Sequence, residues 1–340
     1  MTRPPLLSII IKTFNEEQKV CLAIESALAA ADEIPGQVEI IVADSLSADK
    51  TVEIAGRYPV RVVQFADRQD CGCGAGVQLG YQHSSGEFVY ILDGDMQLLP
   101  GFLGEAYRRI VQDARIGGVA GVLKDTQVTN QMDRFRQKNE ASSKPGELPY
   151  LNGGGLYRRA AIESAGGYAA NRNLKAYEEA ELGFRLGAAG WKLLRLPLPA
   201  VHHTGHDLGT LELLLRHWRN RRAMASGVLL RVAIGHPWWR GPTFMLIHPL
   251  AVMAWWFMFI LALTALPPWA AWALAAVFMA VIALLALKKR DLAHVATSVT
   301  HWHYGAAAIC IGFFYPRCHP ETPIASRVLH EPNALQPSVE

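Results

Sequence analysis

From Thr243 to Leu287 the chain contains no Asp, Glu, Lys or Arg, and that stretch restricts the fold more than any other. Within it, Thr243–Ala265 and Trp269–Leu287 each come close to the ~20 apolar residues that a helix needs to cross a bilayer. Leu266-Pro267-Pro268 makes a tight, uncharged turn between them. A helix on the surface of a soluble core needs a polar face, and neither segment has one. Arg240 precedes the first segment and Lys288-Lys289-Arg290 follow the second. Both flanks are basic, so the hairpin is expected to enter from the cytoplasm and return to it. His248-Pro249 either kinks the first span or marks its true start. Further on, Tyr304–Tyr315 is apolar but short for a span and reads as re-entrant or interfacial. The Pro-rich tail after Pro316 reads as loosely structured.

Residues 1–240 look instead like a soluble α/β protein. The overall hydrophobic fraction of 51% hides this asymmetry, and a net charge of +3 gives no case for nucleic acid. The basic residues gather near the apolar segments. Over Asp207–Val232, Leu208, Leu211, Leu215, Trp218, Ala225, Leu229 and Val232 recur at roughly helical spacing, with Arg216, Arg219, Arg221, Arg222 and Arg231 forming a positive face. Such a helix suits an anionic membrane surface, which makes membrane lipids expected partners. Five cysteines without a regular framework do not suggest disulfides, and Cys71 and Cys73 read as free thiols rather than part of a zinc site. The run Leu6–Ile11 is too short for the apolar region of a signal peptide, so the first domain is expected to remain in the cytosol.

Leu7–Ile11, Val38–Ala43, Val60–Phe65 and Phe88–Leu92 read as buried strands. Helices separate them: one through Val20, Ile24, Ala27 and Leu28, one over Thr51–Arg57, and one over Gly74–His83. This alternation implies a parallel sheet with helices on both faces. Ligands of such sheets bind beyond the carboxyl ends of the strands, near a switch in strand order. Here those ends carry Thr13 and Asn15, then Asp44, then Arg68, then Asp93 and Asp95. Hard cations share carboxylates with substrate phosphates, so Asp93-Gly94-Asp95 suggests a diphosphate bridged by Mg²⁺ or Mn²⁺. A dinucleotide-binding dehydrogenase would need its glycine fingerprint after the first strand. The chain has Lys12-Thr13-Phe14-Asn15-Glu16-Glu17 there, with no glycine.

Five segments, in order, carry a family resemblance: Ser8–Glu16, Asp44–Thr51 (close to D-x-x-S-x-D-x-T), Ser85–Asp95, Asn152–Arg159 followed by Gly166-Gly167-Tyr168, and Tyr177–Leu186. Through them residues 6–204 resemble a family 2 glycosyltransferase with the GT-A fold, a Rossmann-like, mostly parallel sheet flanked by helices. The resemblance implies that Thr13, Asn15, Glu16 and Asp44 hold the nucleotide sugar, with Asp44 at the base and Arg68 approaching the donor. It further implies that Asp93 lies near the ribose or metal and that Asp95 ligates the cation. Some relatives add a histidine after the strand here read as Lys192–Leu196. His202 and His203 point to opposite sides of an extended segment, and His203 is preferred. Gly153, Gly154 and Gly155 are placed on the acceptor side.

Transfer to a hydroxyl with inversion needs a carboxylate that takes the acceptor's proton. Glu178-Glu179 opens an amphipathic helix, where the positive helix end favours ionised acids. Relatives usually have Glu-Asp or Asp-Asp here with the second residue as base, which implies Glu179, with Glu178 as the other candidate. Processive synthases in the family carry Q-x-x-R-W where this chain has Arg216-His217-Trp218-Arg219-Asn220, which argues for addition of a single sugar. The expected organisation is a catalytic domain over residues 1–205, a basic amphipathic region over 206–241, two transmembrane helices over 242–290, and an interfacial segment with a tail over 291–340. The expected activity is metal-dependent transfer from a nucleotide-diphosphate sugar to a hydroxyl of a lipid-linked saccharide at the cytoplasmic face. A polyprenyl-phosphate acceptor, and a non-catalytic scaffold that binds sugar nucleotides, are the alternatives.

Overall fold

The computed structural model of the protein describes residues 4–126, 145–204 and 208–332. The chain divides into two compact units, residues 1–220 with 317–340, and residues 221–316. The expected boundary at 205–206, the start of the basic helix at Asp207 and the last residues of the tail lie outside the described residues.

In the first unit the order is β1 (Leu7–Thr13), α1 (Val20–Ala31), β2 (Val38–Asp44), α2 (Thr51–Ala55), β3 (Arg61–Phe65), α3 (Cys73–Gln82) and β4 (Phe88–Asp93). There follow β5 (Met96–Leu98), α4 (Phe102–Gln112), β6 (Ile116–Asp125), β7 (Gly146–Leu148), β8 (Gly155–Arg158), α5 (Arg159–Ser164), α6 (Glu178–Ala188), β9 (Lys192–His203) and α7 (Thr210–Arg219). The sheet runs β10-β3-β2-β1-β4-β8-β6-β9-β5, with β7 beside β9; β10 is Ser326–His330. It is mixed. The strands β3, β2, β1 and β4 are parallel, whereas β8 is antiparallel to both β4 and β6.

The sequence of β1 explains its central place. Ile9 and Ile11 face one core, with Val20 and Ile24 of α1, while Ile10 faces the other, with Val77 and Tyr81 of α3. A strand buried on both faces reads as an unbroken apolar run rather than an alternating one. Strand order reverses across β1, since β2 lies on one side and β4 on the other. The carboxyl ends of β1 and β4 therefore frame the crevice in which ligands of such sheets bind.

Two expectations change here. The strand expected over Lys192–Leu196 continues to His203. Its prolines are accommodated because Pro199 lies where the pairing with β6 shifts register, a place where a missing N–H is tolerated. The tail after Pro316, as far as residue 332, is also structured: β10 adds antiparallel to the edge of β3. Ile324 is buried with Phe65 and Leu79, and its N–H and C=O are both met by the Gln82 amide, at 2.9 and 3.1 Å.

The second unit holds α8 (Ala225–Ala233), α9 (Arg240–Met245), α10 (Ile247–Ala265), α11 (Pro268–Lys289) and α12 (Leu292–Phe313). Both α10 and α11 are long and apolar enough to cross a membrane, and almost none of their length is buried. Phe257, Trp272 and Leu284 stand exposed, as apolar side chains facing lipid would. His248-Pro249 marks the true start of the first span, which begins at Ile247. Most of the apolar stretch at Tyr304–Tyr315, as far as Phe313, proves to be the second half of α12, whose first turn is capped by the Asp291 side chain accepting from His294 N at 3.1 Å.

The basic segment expected as one helix is two. It breaks after Arg219, with Arg221 in the left-handed region at φ 62°, and α7 and α8 fall in different units. Arg231 donates to the carbonyls of Phe313 and Tyr315 at 2.9 and 3.2 Å and so satisfies the end of α12 rather than extending a positive face.

Candidate active site

The polar residues at the ends of β1 and β2 hold one another. Asp44 is fully buried and accepts from Thr13 Oγ1 at 3.2 Å, Ser47 N at 2.9 Å, Gln64 Nε2 at 2.8 Å and the Ser47 hydroxyl. Asn15, left-handed at φ 55°, donates its N–H to Ser47 Oγ and accepts from Ala48 N, both at 2.8 Å. Glu16 N donates to Thr51 Oγ1 at 2.7 Å, and Asp49 accepts from Thr51 N at 3.0 Å and from Glu17 N at 3.1 Å. The spacing from Asp44 to Thr51 is thus a loop-building pattern that fixes Thr13, Asn15 and Glu16 at the crevice. Arg68 sits exposed in a short 3₁₀ turn, Arg68–Asp70, after β3.

Across the switch in strand order, Lys12 of β1 is the register partner of Asp93 of β4. Its Nζ lies 2.7 Å from Glu178 Oε1, 3.2 Å from Asp93 Oδ1 and 3.9 Å from Glu179 Oε1. Burial alone would pull the lysine down, but Asp93, Glu178 and Glu179 outweigh it and hold its pKa well above the usual value. The sequence reading missed Lys12. Its only signal was a lysine immediately after three buried isoleucines, where a buried cation needs acidic partners.

The two glutamates differ. Glu178 is nearly inaccessible and bound to Lys12, whereas Glu179 keeps about a quarter of its side chain exposed, at 26%. Burial first, then the neighbouring Glu178, push Glu179 up to about 7, with Lys12 opposing. Burial and Asp95 push Glu16 to about 7 as well. Burial raises Asp93, against the pull of Lys12. Helix α6, which carries the pair, starts after Tyr177 in the left-handed region at φ 69°. Its other side is held from within: Arg185 donates to Glu181 Oε1 at 2.8 Å and to Tyr168 O at 2.9 Å, and Tyr168 Oη donates to Glu181 at 2.9 Å.

Asp95 follows β4 in the turn, and its Oδ2 lies 3.4 Å from Nε2 of His203. Nδ1 of that histidine lies 2.7 Å from the buried Asp125, at the end of β6. A carboxylate on one ring nitrogen turns the other toward a cation, so Asp125 orients His203. His202, on the opposite side of β9, is half-buried. Among the described residues no three acidic, histidine or cysteine side chains form a metal cage. An oxygen and a nitrogen ligand at this separation still fit one cation, since cis ligands at about 2.1 Å from a metal stand roughly 3 Å apart. Asp125 was missed, although the rule that sites lie at strand ends applied equally to β6.

Gly153, Gly154 and Gly155 lead into β8 beside these residues. Gly154 N donates to Ile91 O at 3.1 Å, at φ 83°. A side chain there would meet Val201 at 2.8 Å as well as backbone strain, so the glycine lets β8 approach β4 and β9. The structure brings together Glu16, Asp93, Asp95, His203, Glu178 and Glu179 through these neighbours; Arg68 stands apart on its own turn.

Residues 8–166 match the family model described as glycosyl transferase family 2. Among curated proteins, the chain is 30% identical over 123 residues to an undecaprenyl-phosphate 4-deoxy-4-formamido-L-arabinose transferase of Edwardsiella ictaluri, covering 35% of this chain and 37% of that protein. It is 31% identical over 113 residues to a dodecaprenyl-phosphate galacturonate synthase of Rhizobium johnstonii, covering 30% and 33%. The chain thus spans about a third of the length of these relatives. Among solved structures, the mannosyltransferase PcManGT from Pyrobaculum calidifontis, in complex with GDP-Man and Mn²⁺, aligns with a TM-score of 0.58 at 21% identity, over 92% of this chain and 88% of that one. S. aureus TarS 1–349 with UDP-GlcNAc aligns at 0.51 and 17% identity, over 67% and 66%. Residues 8–166, the stretch that runs from β1 through β8, thus match the glycosyl transferase family 2 model, and the fold is the GT-A fold of these solved structures.

Proposed function

We propose that the protein is a membrane-anchored, inverting glycosyltransferase that moves one sugar from a nucleotide-diphosphate donor to a hydroxyl of a lipid-linked saccharide at the cytoplasmic face. The observation that carries this reading is the gathering of Asp93, Glu178 and Glu179 around Lys12 where the strand order reverses, with Asp95 two residues from Asp93. The acid proposed to face the donor and the acid proposed as base thereby meet at one ammonium.

In this reading Thr13, Asn15 and the Asp44 loop hold the nucleotide, and Asp95 and His203 hold Mg²⁺ or Mn²⁺. Bound there, the cation supplies neutralising charge to the leaving diphosphate. Glu179 takes the proton of the acceptor hydroxyl as the new bond forms. A carboxylate held at about 7 suits that task, because it accepts a proton readily yet keeps a substantial ionised fraction at neutral pH. Glu178, bound to Lys12, is already committed as an ion-pair partner, which favours Glu179 as the base. Gly153–Gly155 would line the acceptor side, and the exposed apolar helices α10 and α11 would anchor the chain in the membrane that carries such an acceptor.

The names of the relatives favour a second reading, transfer to a polyprenyl phosphate. Such an acceptor is already ionised and needs no base. A cluster in which Glu16, Asp93, Asp95, Glu178 and Glu179 outnumber one lysine also repels a phosphate dianion, which supports the hydroxyl acceptor.

Purified full-length protein in detergent, screened with Mn²⁺ against UDP- and GDP-sugars for donor hydrolysis, tests the activity. Glu179→Gln should lower transfer ~10²-fold or more if a hydroxyl is the acceptor. Turnover left largely intact by that substitution would favour the polyprenyl phosphate.

A further inference from the structure

We propose that Lys12 is a positioning residue that ties the base-bearing start of α6 to the donor-side end of β4, by gripping Glu178 and Asp93 with one ammonium. This rests on the reading of the site above, and it adds a residue which that reading does not use.

The first turn of α6 begins without a side-chain cap. Its N-cap residue, Tyr177, makes no side-chain capping hydrogen bond and occupies the left-handed region. On the side facing the core, Glu181, Arg185 and Tyr168 anchor the helix. On the side facing Asp93, Lys12 reaches Glu178 at 2.7 Å, between residues 166 positions apart in sequence. Lys12 itself is rigidly placed. It lies in the central strand, paired in register with Ala43 on one side and Asp93 on the other, and its side chain is only 12% exposed.

A buried ammonium is costly unless carboxylates surround it, and a buried carboxylate such as Glu178 is costly unless a cation meets it. Each therefore fixes the other. Glu179 is the next residue on the same turn, so its distance from the donor follows from the grip on Glu178. Displacements of about 1 Å in such constellations cost roughly 10²-fold in rate.

The test uses full-length protein in detergent, Mn²⁺, and the nucleotide sugar of the UDP and GDP panel that the wild type turns over fastest. Lys12→Met should lower kcat ~10²-fold while donor KM stays within about threefold, because donor contacts are left in place. Adding Glu178→Gln to Lys12→Met should lower kcat no further, since both substitutions release the same tie. A folded Lys12→Met enzyme within about threefold of wild-type kcat would overturn the proposal, as would losses that multiply in the double variant. If Lys12→Met does not fold, the double variant, which leaves no bare buried charge at Glu178, should recover folding; failure to recover also overturns it. If the wild type turns over no sugar nucleotide, the proposed function fails separately. The tie is then read from thermal unfolding of the two single variants and the double, where additive shifts in Tm would refute it.

Discussion

Glu16 and Glu179 are both held near 7, well above the carboxylates of an unfolded chain. For an acid raised in this way the sign runs against the usual acid unfolding. Between about pH 4.5 and 7 the unfolded chain has released its protons while the folded one retains them, so stability falls as pH rises through that window. A divalent cation relieves the crowding only once the acids are ionised. Mn²⁺ should therefore raise Tm more at pH 8 than at pH 5.5, and equal shifts at the two values would contradict this account of the site. Glu179 and the Asp93-Gly94-Asp95 pair were legible in the sequence because Glu-Glu and Asp-x-Asp stand where a helix begins and a strand ends. Lys12 was not, since a lysine after Ile9-Ile10-Ile11 reads as the point where a strand meets water. Its partners lie 81 and 166 positions away, and only the parallel register of β1 with β4 brings Asp93 opposite it.

At the scale of single elements, α6 is the clearest case of a helix fixed by buried charge. Glu181 is fully buried and Arg185 nearly so, and Arg185 also covers the Tyr168 ring at 3.7 Å. Removing one member of such a pair strands the other, so Arg185→Met should cost about 3–5 kcal/mol in chemical denaturation. A loss below 1 kcal/mol would mean that the helix is held elsewhere. In the second unit, α8 and α12 cross at Gly227 and Gly312, where a side chain on Gly312 would run into the Met224 carbonyl. Gly312→Ala should accordingly lower the thermal stability of the full-length protein. The alternation of strands and helices up to β4 was readable because each element there is locally consistent in pattern. β9 was harder, because Pro197 and Pro199 look like a turn until a register shift in the neighbouring strand accommodates them. The basic stretch was harder still. Helical spacing persists across the break at Arg221, and periodicity alone cannot reveal a left-handed residue.

For the whole molecule, the segment after Pro316 alters what a truncation would mean. β10 covers the edge of β3, and Arg172 grips the carbonyls of Thr322 and Pro323 at 2.7 and 3.2 Å while also pairing with Asp70. Asn173 is bonded twice more to Cys318, at 2.9 and 3.0 Å. A chain cut after Asn220 loses these contacts and bares the edge of β3, and such an edge invites aggregation. Replacing residues 221–316 with a Gly-Ser linker that rejoins Asn220 to Arg317 should yield a monodisperse protein where the simple truncation aggregates. Size-exclusion chromatography of the two decides the matter. Nothing in Ser326–His330 announced this strand; its five residues find their partner only because β3 has an unpaired side.

The return of the tail also carries a rule of parity. A chain that leaves a compact unit at Asn220 and rejoins the same unit at Arg317 can traverse a lipid bilayer only an even number of times, as long as that unit stays on one side. If helices α10 and α11, both long and apolar enough to cross, use two traverses, then α12, of similar length, has no third available to it. It must enter and leave on one face, as its histidines and hydroxyl residues in the first half would favour. Single cysteines introduced just before Arg221 and just after Pro316 should thus react with an impermeant reagent from the same side of a sealed vesicle, and one in the Leu266–Pro268 turn from the opposite side.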